Sequence, residues 1–439
     1  MDARQFRSMA QMLSCLAAQP ESSFSRALGP AGRQSAGRLL SDERVSPQVI
    51  LEGHQRQTRA RCSQEPYVVV AQDTTEIDYS KHQESKSDLG PIGKGYSWGV
   101  LGHGCLALSP SGLPLGVVGL DLWTRDPAQM GSRSRKRDLS TEQKESRKWL
   151  TGLRSIEEAL PEQPIVVVAD RESDVYDYLA APRRGTTHLV TRASYPRRVR
   201  IQPSQQKSTL FEAARAGARV GEMEVEIPRR RGQREQVLKL SLFATNVSVL
   251  RPKERKLAAE AQSVDVSVVW AVEETSEEGC GAVEWFLLST QPVRTGADAR
   301  RTVETYALRW QIEVLHRTLK TGLRIERLQI DDRHDLLNAL AVYYIVAWRV
   351  LSVTHHGRHY PDSPAEEVLD DDEIDVLEQV SRCPIRTAAD VVLHLAKLGG
   401  YEHWKNAPPP GPARIWWGIR RLQDILVGYH LSRSLQRQL

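Results

Sequence analysis

The chain has 439 residues and a mass of 49.4 kDa, with 60 lysines and arginines against 55 aspartates and glutamates, and a net charge of +5. With 40% apolar and 26% charged residues it is neither fibrous nor wholly disordered, and its length suits about two to four domains. No apolar run reaches the roughly 18 residues of a membrane span, residues 1–7 lack a secretory h-region, and five scattered cysteines make no C-x-x-C pair, so a cytoplasmic setting is expected.

Residues 1–60 read as helical, with Met9, Met12, Leu13 and Leu16 at helical steps and a Ser/Gly/Pro-rich loop around Pro20–Ser35. Tyr67–Ala71 is a continuous apolar run of the kind buried on both faces of a sheet. Trp98–Leu108 and Leu115–Trp123 flank turn residues Ser109-Pro110-Ser111-Gly112 and predict a hairpin beside that strand. A charged helix, about Thr141–Leu160, leads to a second apolar strand, Ile165–Ala169. Strand, helix, strand predicts a parallel crossover onto the Tyr67–Ala71 strand. A helix from about Asp174 and a strand at Thr187–Arg192 follow.

From 194 to 292 short alternating runs (Glu222–Ile227, Val237–Ala244, Val264–Val272, Val283–Ser289) predict an inserted β-rich segment. A helical period returns at Asp298–Gly322 and persists beyond Leu336, interrupted by the acidic patch Asp370–Glu373 and the proline-rich loop Pro408–Pro412. The expected organisation is an N-terminal helical region at 1–66, an α/β core in two parts at 67–193 and 293–349, the β-rich insertion at 194–292, and a C-terminal helical region at 350–439.

Three basic runs, at Arg133–Arg137, Arg197–Arg200 and Arg229–Arg234, supply the kind of charge that binds a polyanion without reading sequence, although each alone also reads as a solvated loop. Both long apolar strands end in an aspartate, Asp73 and Asp170. Sites in open α/β sheets gather at the carboxyl ends of strands, so two such aspartates on neighbouring strands share a cleft and call for a cation such as Mg²⁺. The alternative is that each caps a turn. Tyr306, Arg309, Glu313 and Lys320 follow at steps of three, four and seven, which returns them to one helix face. Such a face offers a third carboxylate with phosphate-binding cations beside it, or else an ordinary Arg–Glu surface pair.

The spacing Tyr306-x2-Arg309-x3-Glu313-x6-Lys320 resembles the Y-R-E-K signature of the DDE transposases of the transposon-five and insertion-sequence-four type. Asp73-Thr74-Thr75 and Asp170-Arg171-Glu172-Ser173-Asp174 resemble the settings of that family's two catalytic aspartates. The three blocks stand in the family's order. The likeness extends to Arg38–Val45, Leu398–Tyr401 and Trp416–Gly418.

The resemblance implies a ribonuclease-H-like core of α/β class, with Asp73, Asp170 and Glu313 around two Mg²⁺ ions for which Mn²⁺ substitutes. It implies DNA contacts by Tyr306, Arg309, Lys320 and Arg192. Trp285 resembles the family tryptophan that stacks on a flipped base, against the plainer reading of core packing. The implied activity is cut-and-paste transposition: 3′ nicking, hairpin formation and resolution, then strand transfer by two-metal phosphoryl transfer. The implied partners are terminal inverted repeats, target DNA and a second copy in a homodimeric synaptic complex, with no membrane, in a bacterial cytoplasm and at the nucleoid when DNA-bound. The family's chains begin with an extra helix on the transposon end, which this sequence is expected to lack. That leaves two alternatives: a truncated relative that inhibits transposition, and a metal-dependent nuclease without strand transfer.

Overall fold

The computed structural model describes residues 29–82, 88–93, 97–129, 144–227, 236–253, 259–273, 283–404 and 409–436, together with Gln5, Met9, Met12 and Lys86. The basic runs at 133–137 and 229–234 lie outside the described residues, as do residues 405–408 of the approach to the proline-rich loop.

Two helices open the described chain, α1 (Gly29–Leu40) and α2 (Pro47–Cys62). The glycines around residues 29–35 predicted a loop, yet they are helical. Ala36, Leu39 and Leu40 are buried, and that burial outweighs the roughly 1 kcal/mol that each helical glycine costs. Ser46 caps α2 through its side chain, which accepts from the Val49 N–H, with Pro47 in the first turn.

Next come β1 (Val68–Asp78), β2 (Gly90–Ile92), β3 (Ser97–Leu108) and β4 (Pro114–Trp123), then α3 (Arg147–Ala159) and β5 (Ile165–Ala169). The predicted hairpin forms: β3 runs antiparallel to both β1 and β4. The crossover forms too, with β5 parallel to β1 so that Gln72 pairs with Ala169. The helix expected from Asp174 is one turn only, α4 (Tyr176–Leu179), and β6 (Thr187–Arg192) then pairs parallel to β5. The order β4-β3-β1-β5-β6, three antiparallel strands followed by two parallel ones, is compatible with a ribonuclease-H-like core.

The β-rich stretch contains β7 (Arg198–Ile201), β8 (Gln206–Thr209), a short helix α5 (Leu210–Arg215), β9 (Ala218–Ile227), β10 (Gln236–Leu250), β11 (Ser263–Glu273) and β12 (Glu284–Ser289). The β7–β8 hairpin and α5 had no counterpart in the sequence reading. In Arg198-Val199-Arg200-Ile201 a two-residue strand period is written in arginines and reads as a charge run. These strands do not stand apart: β12 pairs antiparallel with β6, and one 12-stranded sheet results.

The sheet has two covered faces. Val69 and Ala71 of β1 pack on one face with Ile312, Leu315 and Tyr344. Val68 and Val70 pack on the other with Trp149, Leu153 and Ile156 of α3, and further along that second face α5 covers Val266, Phe286 and Leu288. This alternation is the two-residue strand period, and it puts Asp73 on the first face with Val69 and Ala71.

The remaining helices are α6 (Gly296–Ala307), α7 (Trp310–Arg317), α8 (Arg333–His359), α9 (Asp371–Ser381), α10 (Ala388–Leu398) and α11 (Pro412–Gln436). By length and composition α8 is apolar enough to cross a membrane, a feature the sequence reading passed over. Yet 72% of its most apolar window is buried inside the fold. Its Asn338 amide donates to the carbonyls of Leu40 and Val45, which ties the N-terminal helices to the core.

Candidate active site

Asp73 and Asp170 each sit one residue beyond the paired positions Gln72 and Ala169, so they stand side by side on neighbouring parallel strands. The Thr74 N–H donates to the Asp73 carboxylate at 2.8 Å. Asp170 accepts at 2.8 Å from the Glu172 N–H and caps a single turn over Arg171–Ser173. The capping alternative is thus true of Asp170, and it holds the carboxylate in place without neutralising it.

Burial pushes Asp73 up from 3.8 to about 7, reinforced by the like charges of Asp170 and Glu313 against the opposing Thr74 bond and Arg309. Asp170 is also raised, by burial first and then by Glu172, against its backbone bond and the charges of Arg309 and Lys148. Coupled, partly buried carboxylates of this sort mark sites that act on a cation or a proton.

The third carboxylate arrives on a broken helix, where a continuous one was expected over Asp298–Gly322. Thr295 and Asp298 form a capping box that starts α6, and α6 ends after Ala307. Tight bonds from Arg309 N–H to the Tyr306 carbonyl and from Ile312 N–H to the Arg309 carbonyl then turn the chain into α7. Tyr306 is therefore on α6, Arg309 at the junction and Glu313 on α7, while Lys320 sits on a wide turn over Thr318–Gly322.

Arg309 stands among all three carboxylates. Its Nη2 lies 2.6 Å from Glu313 Oε1, and its charge acts on Asp73 and Asp170. Burial works against that charge, but Tyr306, Glu313 and Asp73 more than compensate and hold it above its ordinary value. Tyr306 is buried under the Arg309 guanidinium at 5.8 Å and packs edge-on against Trp285 at 5.5 Å. Arg192 Nη2 donates to the Glu284 carbonyl at 3.0 Å and contributes charge at Tyr306. Lys320 Nζ lies 4.0 Å from Glu326 Oε1. The single helix expected over Asp298–Gly322 is corrected accordingly: a junction at residues 308–309 and the wide turn over Thr318–Gly322 interrupt it.

Residues 140–348 match the family model of the transposase DDE domain. That segment is thus similar to a transposase DDE domain, and the match supports a transposase-type function. Asp170, Arg192, Trp285, Tyr306, Arg309, Glu313 and Lys320 all fall inside the matched segment, whereas Asp73 precedes it. Strand pairing brings Asp73 to the matched segment, since the β1–β5 register sets it beside Asp170.

Such domains act with divalent metal ions, and the donor set can be tested against that. Asp73 and Asp170 are hard oxygen donors whose mutual repulsion a dication relieves, so the pair fits. Among the described residues no three His, Cys, Asp or Glu side chains gather closely enough to enclose a metal, and Glu313 is occupied by Arg309. The two aspartates fit a cation, while Glu313 pairs with Arg309.

Sequence reasoning missed a buried histidine beside Asp73 and a buried polar chain on the other face of β1. His316 is buried, burial lowers it to about 3 and so keeps it neutral, and its Nδ1 lies 3.9 Å from Asp73 Oδ2. The signal was available, since residue 316 is one turn past Glu313 on α7. A second chain leads from Thr74 Oγ1 to His103 Nδ1 at 2.9 Å, from His103 Nε2 to Gln72 Oε1 at 3.0 Å, and from Gln72 Nε2 to the Tyr178 hydroxyl at 3.3 Å. His103 reads in sequence as an ordinary strand residue.

Proposed function

We propose that the chain is a cut-and-paste DNA transposase of the transposon-five type, with Asp73, Asp170 and Glu313 as its catalytic carboxylates. The observation that carries the reading is the charge coupling of Asp73 to both Asp170 and Glu313, from three distant sequence blocks, at the carboxyl end of two parallel strands. The three carboxylates would hold two Mg²⁺ ions, which supply activation of an attacking oxygen and stabilisation of a leaving one in an in-line phosphoryl displacement.

The chain's own residues prepare that reaction. The backbone N–H groups of Thr74 and Glu172 fix the two aspartates, and neutral His316 backs Asp73 without adding charge. Arg309 is a planar fork amid carboxylates, suited to exchange Glu313 for a DNA phosphate. Trp285 is half-buried beside Tyr306, and its ring would stack on an unstacked base from a hairpin intermediate. Lys320 and Arg192 would extend the phosphate contacts on either side, and a second copy of the chain would complete a synaptic pair.

The test is Glu313→Gln, which removes the charge but keeps the shape. DNA binding should persist in a gel shift while Mg²⁺-dependent nicking stops, and a wild-type nicking rate would overturn the assignment. With the wild-type chain and end DNA, a hairpin band on a denaturing gel is expected; nicked product alone would favour a plain nuclease.

A further inference from the structure

Lys320 meets acidic groups of its own chain. Its Nζ lies 4.0 Å from Glu326 Oε1, and both side chains are about one-third exposed. Asp78, the last residue of β1, adds a second negative charge. Burial raises its carboxyl, but bonds from Ser80 and then the charges of Lys320 and Lys81 hold it below the ordinary value. Lys320 also acts on buried His316, which burial first and then the Lys320 charge lower to about 3, and whose Nδ1 lies 3.9 Å from Asp73 Oδ2. The ammonium thus stands close to the carboxylate site, yet its ion-pair partner, Glu326, is none of the three proposed catalytic carboxylates.

Glu326 is not a loose surface carboxylate. The Asp78 N–H donates to its Oε1 at 3.1 Å. It sits on a short turn over Ile325–Arg327, entered through Arg324 in the left-handed conformation at φ 50°. The chain just after β1 pins that turn. The buried Tyr79 hydroxyl donates to the Ile325 carbonyl at 2.9 Å, and the buried Lys86 ammonium donates to the Leu328 carbonyl at 2.8 Å. A carboxylate oxygen fixed in this way offers an ammonium what a phosphate oxygen would offer it. Lysine is a point charge on a flexible stem, so it can leave one such oxygen for another without matching a fork geometry.

We infer that Glu326 competes with DNA for Lys320: it pairs with that ammonium within the chain, and a phosphate must displace it before Lys320 adds to binding. The inference rests on the phosphate contact proposed for Lys320. The effect of Glu326 is to restrain binding to arbitrary duplex, whose affinity comes from phosphate contacts.

A double-mutant cycle read by fluorescence anisotropy in EDTA tests this without any metal-dependent step. The probe is a labelled blunt duplex of arbitrary sequence, at about 0.15 M salt, where a Debye length of about 8 Å screens charges that do not touch. Glu326→Gln keeps the side chain's shape and an acceptor for the Asp78 N–H, so an unaltered melting temperature is expected. It should tighten binding by about three- to fivefold, the range of an exposed ion pair. Lys320→Met should weaken binding and reduce the salt slope by about 0.9, one duplex phosphate contact. In the Lys320→Met background, Glu326→Gln should change affinity by less than about 1.5-fold, because the charge it competes for is gone. Equal tightening in both backgrounds would mean that Glu326 merely repels DNA, and would overturn the inference, as would no tightening when Lys320 is present. Since the Glu313→Gln assay reads cleavage and this cycle reads metal-free binding, either proposal can fail while the other stands.

Discussion

Asp73 shows how much one burial decision governs. Its carboxyl titrates at about 7 in the fold against 3.8 in an unfolded chain, so between those values the unfolded chain has already released the proton that the folded one retains. The folded state is thus favoured fully at low pH, and that advantage drains away as pH rises from about 4 to about 7, on the order of 4 kcal/mol in all. Asp73→Asn should flatten this slope and raise the denaturation midpoint of the metal-free protein at pH 8. A lowered midpoint with an unchanged pH profile would contradict the account. The aspartates were legible in sequence as strand-end acids. The contact with His316 was not, because that partner comes from another element and only packing brings it near.

At the scale of elements, α2 lies close against β4, and Gly116 makes the approach possible. A methyl group there would fall 1.9 Å from Thr58 Oγ1. Gly116→Ala should therefore destabilise the protein by about 1–3 kcal/mol in chemical denaturation, through displacement of α2; an unchanged midpoint would contradict this close packing. The break between α6 and α7 belongs here as well. Apolar spacing over 298–322 is continuous, and a helical period cannot reveal two tight turns that preserve the direction of the stripe while rotating the residues beyond them. Strand identity fared better, since apolar runs such as 165–169 and the alternation of 264–272 leave few other conformations open.

For the whole molecule, the β-rich stretch extends the core sheet across the β6–β12 junction. No edge separates the two parts, and buried residues of α8, α6 and β10 belong to one apolar cluster. Calorimetry should accordingly show a single cooperative unfolding transition despite the length of 439 residues, and two resolved transitions would contradict that continuity. The net charge of +5 sets only the background attraction to a polyanion. Where the charge is used depends on which arginines face a cleft.

The sequence by itself determined the α/β class, the parallel crossover between two strands and the aspartate at the end of each, because strand periods and end-of-strand residues are local signals. Tertiary structure decided that the Arg309–Glu313 pair stands among the strand-end aspartates, that His316 lies beside Asp73, and that Lys320 Nζ comes near Glu326. Those outcomes depend on strand register and on the rotation of successive helical turns, and both are fixed by burial between segments far apart in the chain.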